Sequence, residues 1–274
     1  KRETMEENKK YRLTTESILL CFGKKLYRIE ALKDFGDIRK GEKGGFVESE
    51  DNLSQEGNCW IADDAMVYDD AKVSENAVVY DNVRVLKRAS VYGNAVVRGN
   101  VCVNDESQVY GNSMIYHNAI VFNHSRVYGN AQVYGNAHIC GNSKVYDNAC
   151  VSDNAWIDSD AQVYGNSKVC GDVTVFNAAN VNGNAYVDGN TIVGGNAVIR
   201  SNRDYIVFNN WWSRGEYFIW TRSNNMWRAG DFYGTGEELI QKAYQDSEES
   251  GREYERIVKY VEEILKEEQY YGRE

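Results

Sequence analysis

The stretch VYGNAQVYGNAHICGNSKVYDNACVSDNAWI, Val127 to Ile157, nearly repeats itself every six residues. Stepping by six from Ile61 to Ile199 meets 24 consecutive Val or Ile residues without a slip in phase. The residue two places before each is Ala, Ser, Cys, Val or Thr, from Cys59 to Ala197. In A-x-V the outer pair shares one face of a strand, because side chains alternate at period 2. The β-branched residue fills an interior, and the small one fits a crowded corner. Three residues, typically Y-G-N, link one unit to the next. Gly or Asn among them can take positive φ and turn the chain. Asn stands three places after the Val or Ile in 16 of the 24 units. Three sides close one coil, so the repeat predicts eight coils and, at about 4.8 Å per stacked strand, a rod roughly 38 Å long. A disordered tract would not hold its β-branched residues in phase over such a length.

The 274 residues suffice to bury a core, and the net charge is −10. Direct nucleic-acid binding needs clustered Lys and Arg, so this balance argues against it. The chain has no proline and no run of about 18 apolar residues, so no membrane span is predicted. Its opening, KRETMEENKKYRLTTES, lacks the apolar core of a secretion signal, and Lys1 to Thr4 read as an addition before a native Met5. Six cysteines lie scattered without CxxC spacing. Without a leader, these predict reduced thiols and a cytoplasmic location.

The hexad V-x-x-x-A-x resembles the hexapeptide repeat of left-handed parallel β-helix proteins, which depart from the right-handed crossover rule. One feature differs from that family: Tyr is commonest directly after the aliphatic residue, where the family often has Gly, and Gly comes one place later. The segment LKDFGDIRKGEKGGFVESEDNLSQEGNCWIADDAMVYDDAKV is more specific. Its GGFV, its NLSQEGNCWI and the hexads that follow are similar to the opening of the YdcK-like β-helix family of bacteria and phages. That family carries a transferase-like label and no assigned reaction. The resemblance spans roughly residues 26–200 and implies a fold more than a function.

Three regions are predicted: a cap over residues 1–58, the β-helix over 59–202 and an α+β domain over 203–274. In the cap, SILLCFGKKLYRIEAL reads as a hairpin turning at Gly23-Lys24. Past Asn202 the period stops. DYIVFNNWWSRGEYFIWTRSNNMWRAGDFYG reads as three meander strands with turns near Ser213–Gly215 and Ser223–Asn225. Thr235-x-x-Glu238 and Ser250-x-x-Glu253 read as capping boxes starting two helices. Tyr254, Ile257, Val258, Val261, Ile264 and Leu265 give the second helix an apolar stripe. The predicted class is mainly β: a parallel, left-handed β-helix of about eight coils with a hairpin cap and a small α+β domain.

Hexapeptide acyltransferases typically use a histidine base beside a loop protruding from the rod. Here no insertion interrupts the units, and His117, His124 and His138 do not recur at one coil's spacing. They are the only catalytic candidates and are expected at ordinary surface positions. Neither Ser-His-Asp order nor metal-ligand spacing stands out. Asp34-Phe35-Gly36 lacks companion kinase motifs, and no GxxxxGK occurs. No catalytic residue, metal or cofactor is therefore assigned.

Binding candidates come from two places. Trp211, Trp212, Arg214, Trp220, Arg222, Trp227 and Arg228 interleave Trp with Arg, the pair that dominates interface hot spots. Tyr92, Tyr110, Tyr128, Tyr146 and Tyr164 should stack along the rod as structural support or as a recognition stripe. Ile120, Phe122, Trp156 and Phe176 point outward on neighbouring coils, a face for other subunits or for the C-terminal helices. The expectation is a non-catalytic oligomeric scaffold, a trimer as related rods commonly are, with a protein partner. The family resemblance implies a phage-encoded factor acting on a protein of its bacterial host, such as an inhibitor of host defence. The alternatives are a hexapeptide-type acyltransferase and an acidic DNA mimic. Residues 59–202 hold 14 acids and nine bases, a modest excess for mimicry.

Overall fold

The hexads become sides of a coil. A computed structural model describes residues 9–271 other than 22 and 214, so the expectations for Lys1 to Met5 and for Arg214 lie outside the described residues. A hairpin, β1 (Tyr11–Leu19) and β2 (Lys25–Ala31), is followed by β3 (Lys43–Val47). Then come 24 two-residue strands, one per hexad, from β4 (Trp60–Ile61) to β27 (Val198–Ile199). Each pairs in parallel with the strand three further on, as Val97 does with Ile115 and Val127 with Val145. Three sheets result: β4 to β25, β5 to β26 and β6 to β27, taken in steps of three. Every aliphatic residue of the period and nearly every small residue before it is fully buried. Where the small residue is Ser, its hydroxyl donates to a nearby backbone carbonyl, as Ser107 Oγ does to Asn104 O at 2.6 Å and Ser143 Oγ to Ile157 O at 3.3 Å, so these buried hydroxyls are satisfied.

The parallel coil starts before the sequence period does. Phe46–Val47 of β3 pair with Met66–Val67, and Leu53 bridges to Val73, giving about nine turns rather than eight. Eight residues rather than six separate Leu53 from Ile61, which hides this turn from a six-residue step. β3 also pairs antiparallel with β2, so it joins the hairpin to the rod. The GG of GGFV is a packing requirement. A Cβ on Gly44 would meet Ile61 O at 2.4 Å, and one on Gly45 would meet Ala65 O at 2.4 Å. Lys10, fully buried behind this cap, donates to the Glu56, Gly57 and Cys59 carbonyls, and burial lowers its pKa.

The corners bear out the expected positive φ at Gly and narrow the expectation for Asn. Positive φ falls on the residue two places after the aliphatic, at every corner from Asp63 to Gly195, and not on the Asn one place later. Those Asn residues form ladders. Asn76, Asn94, Asn112, Asn130, Asn148, Asn166 and Asn184 link Nδ2 to Oδ1 from coil to coil at 3.0–3.3 Å. A second ladder runs from Asn82 through Asn100, Asn118, Asn136 and Asn154 to Asp172. Such stacks satisfy each amide with its copy above and below. The third corner carries charge instead, pairing Lys87 with Asp105, and Glu106 with both Arg88 and His124.

The C-terminal meander has four strands, not three: β28 (Tyr205–Asn209), β29 (Tyr217–Thr221), β30 (Met226–Ala229) and β31 (Phe232–Gly234). The extra strand follows a turn at Gly230, whose φ is +56°. Thr235 caps α1 (Gly236–Asp246) with the expected box. α2 (Glu248–Tyr271) starts two residues before Ser250, whose backbone N–H is taken by Ser247 Oγ at 3.0 Å. The Ser250-x-x-Glu253 signature thus lies inside a helix. α1 and α2 pack Leu239, Ala243, Tyr254, Val258 and Val261 on Phe218, Trp220 and Trp227. The meander, through Ile219, reaches the rod's own core.

Candidate functional site at the rod–domain junction

The expected aromatic and arginine candidates have different fates. Trp220 and Trp227 are buried in the C-terminal core, Trp220 donating to Asn225 Oδ1 at 2.8 Å. Trp212 packs edge-on against Phe218 and Tyr254, while Trp211 is 71% exposed. Arg222 lies over Trp220 and donates to Arg203 O and Glu268, a structural tie. The tyrosines stack face to face, with ring centroids 4.8–4.9 Å apart and planes within 4°. Along the ladder the rings cover one another's faces, leaving edges outward. Burial, followed by the neighbouring phenols, pushes Tyr146 up to about 12, and burial raises Tyr92 and Tyr128 as well.

Arg228 departs from this pattern. It reaches from β30 to the rod, its guanidinium 4.7 Å from the Phe176 ring centroid, and its Nε is buried without a hydrogen-bond acceptor. It thereby joins the outward face on which Trp156 and Phe176 stand. Trp156, Thr174 and Ile192 occupy one outward position on three successive rungs. A small residue between two bulky ones leaves a slot. In the adjacent column the Phe176 ring leans over Gly194, where a Cβ would be 2.6 Å from it, and so away from Asp158. The result is a cavity of about 290 Å³ lined by Trp156, Asp158, Thr174, Phe176, Ile192 and Arg228. Trp156 is 40% exposed, and its indole N–H is tied to Cys140 Sγ at 3.0 Å, fixing the ring.

The remaining members of the face stand apart: Ile120 and Phe122 are half-buried on lower coils, and the two helices cover the meander. Sequence reading named Trp156 and Phe176 in one group and Arg228 in another, and it omitted Asp158 and Thr174 from its candidates. The usable signal was the large–small–large series at one coil's spacing.

The histidines do not converge. His117 holds a positive-φ corner and meets Tyr116 and Tyr134 edge-on. His124 pairs with Glu106 at 3.2 Å. His138 sits one rung below Trp156, its ring 4.5 Å from the indole, and burial lowers its pKa. The indole stands between it and the slot. Among the described residues no three His, Cys, Asp or Glu side chains group as a metal site. The six cysteines are free thiols, and no described helix is long and apolar enough to cross a membrane.

These features define a hexapeptide-repeat β-helix with an appended α+β unit. No family model matches the chain. Over 74 residues it is 39% identical to a protein of Escherichia coli (strain K12) described as an uncharacterized acetyltransferase, YdcK. The match covers 24% of this chain and 23% of that protein, so the chain spans about a quarter of that relative's length.

Proposed function

We infer that the protein is a non-catalytic, self-associating β-helix scaffold that presents a binding site where the rod meets the C-terminal unit. One observation carries this reading. The repeat's corners are short turns closed by ladders and ion pairs, whereas Trp156, Phe176 and Arg228, which a lone rod would not unite, converge on one slot. His138, the histidine nearest that slot, is screened from it by Trp156. Acetyl-CoA and succinyl-CoA are expected to give no saturable heat in titration calorimetry. A saturable signal lost in His117→Ala or His138→Ala would assign acyl transfer instead, the alternative that the partial similarity to a protein described as an acetyltransferase brings in.

The half-buried Ile120 and Phe122 and the exposed Trp156 support self-association, with a trimer as the expected state. Burying each large apolar side chain is worth about 1.5–3 kcal/mol. Light scattering at micromolar concentration tests this, and a monomer would overturn it. A protein partner, met in the bacterial cytoplasm by a phage-encoded factor, belongs to the same proposal and rests on the family resemblance.

A further inference from the structure

We propose that the slot between Trp156 and Arg228 binds a nucleoside monophosphate, base inward and phosphate on the guanidinium. This rests on the reading of the slot as a binding site and goes further by naming its ligand. Trp156 and Ile192 lie two rungs apart, about 9.6 Å at the spacing of stacked strands, with only Thr174 between them. A flat ring fits between such walls, and stacking on an indole suits any nucleobase.

The slot's lining carries both signs of charge. Its Arg228 is stacked on Phe176 with its Nε buried and unpaired. A buried donor without an acceptor is costly, and the guanidinium fork matches a phosphate. Its Asp158 accepts the Ser159 amide through Oδ1 at 2.5 Å. A carboxylate can accept further hydrogen bonds, and base N–H groups supply them. Guanine offers two adjacent donors, so GMP is expected to bind tightest. The cavity of about 290 Å³ lies at the lower limit of ligand pockets, about 300 Å³, which favours one nucleotide over a longer chain. The protein's overall negative charge disfavours a polynucleotide but not one phosphate met by one guanidinium.

The test is titration calorimetry of the full chain with GMP, AMP, CMP and UMP, and with guanosine and inorganic phosphate alone. GMP is expected to saturate, with guanosine and phosphate each much weaker. Trp156→Ala should weaken GMP about tenfold or more, the usual loss of a stacking platform. Arg228→Ala should weaken GMP while leaving guanosine nearly unchanged. Asp158→Asn should erase the preference for GMP over AMP, which a merely structural role would not do. Trp156→Phe, which retains a ring, guards against misfolding and should keep most of the affinity. Absence of saturable binding by all four nucleotides at millimolar concentration would overturn the assignment. So would GMP binding that Trp156→Ala and Arg228→Ala leave intact in proteins with wild-type melting curves. Loss of the nucleotide site would leave the scaffold reading standing. Turnover of bound GMP would support the slot and overturn the non-catalytic reading.

Discussion

The rod and the C-terminal unit are held together in opposite ways. The rod buries many small, nearly identical side chains, and each coil repeats the packing of the last. The C-terminal unit buries a few large ones, among them Phe218, Trp220, Trp227 and Tyr254, each in a different environment. Repetition lets every coil template its neighbour, as in other solenoids. The aromatic unit has no template and depends on individual fits. One region therefore tolerates corner variation broadly, while the other concentrates its stability in a few residues.

The strongest test of this contrast is a charge inside the rod. Val133→Asp places a carboxylate at a fully buried site, and an unpaired buried ion costs several kcal/mol. Loss of soluble folded protein is expected. A normal thermal melt would refute the packed interior at this register. Trp227→Ala should cost about 3–5 kcal/mol, but within the C-terminal unit alone. Limited proteolysis should then cut beyond residue 203 while the rod's circular dichroism persists. If the rod melts with it, the two regions form one cooperative body and the comparison fails.

Smaller effects separate the corners. Asn130→Ala breaks a ladder, leaving the Asn112 amide and the Asn148 carbonyl oxygen without partners, and should cost about 1 kcal/mol. His124→Ala, at the charged corner, removes an exposed pair and should stay within about 0.5 kcal/mol. Equal melting temperatures for the two would mean that the ladders add nothing beyond turn preference. The smallest effect concerns pH. Burial lowers the pKa of His138 in the folded state, so the unfolded chain binds the proton more readily. Stability from this site is complete above the unfolded value of about 6.5 and falls as pH drops below it towards the folded value. Wild type should therefore lose more melting temperature than His138→Gln between neutral pH and pH 5. Parallel curves would contradict this.

Much of the rod was legible because its physics is local and repeated. The 24 aliphatic positions, the small residues before them and the tyrosine stack all follow from a fixed period. The ladder asparagines were visible but misread as positive-φ residues. A period shows which residues align, and not which of two neighbours takes the strained conformation. The starting turn at Val47 and Leu53 was missed because two extra residues break the phase. The fourth meander strand is only three residues long, and Ser247 displaced the expected helix start.

The sequence by itself determined the coil, its registry and the identity of its outward columns, because a β-branched residue every six positions can be buried together in few other ways. Only the tertiary structure decided what those columns do. Arg228 lies more than 50 residues from Phe176 and in a region of a different character, so no local pattern could place its guanidinium on that ring. The slot exists because a meander folded by its own aromatic core returns to the rod at the coil where Thr174 leaves space. That meeting depends on how the meander fits against the rod, partly through Ile219 in the rod's core, and no period encodes it.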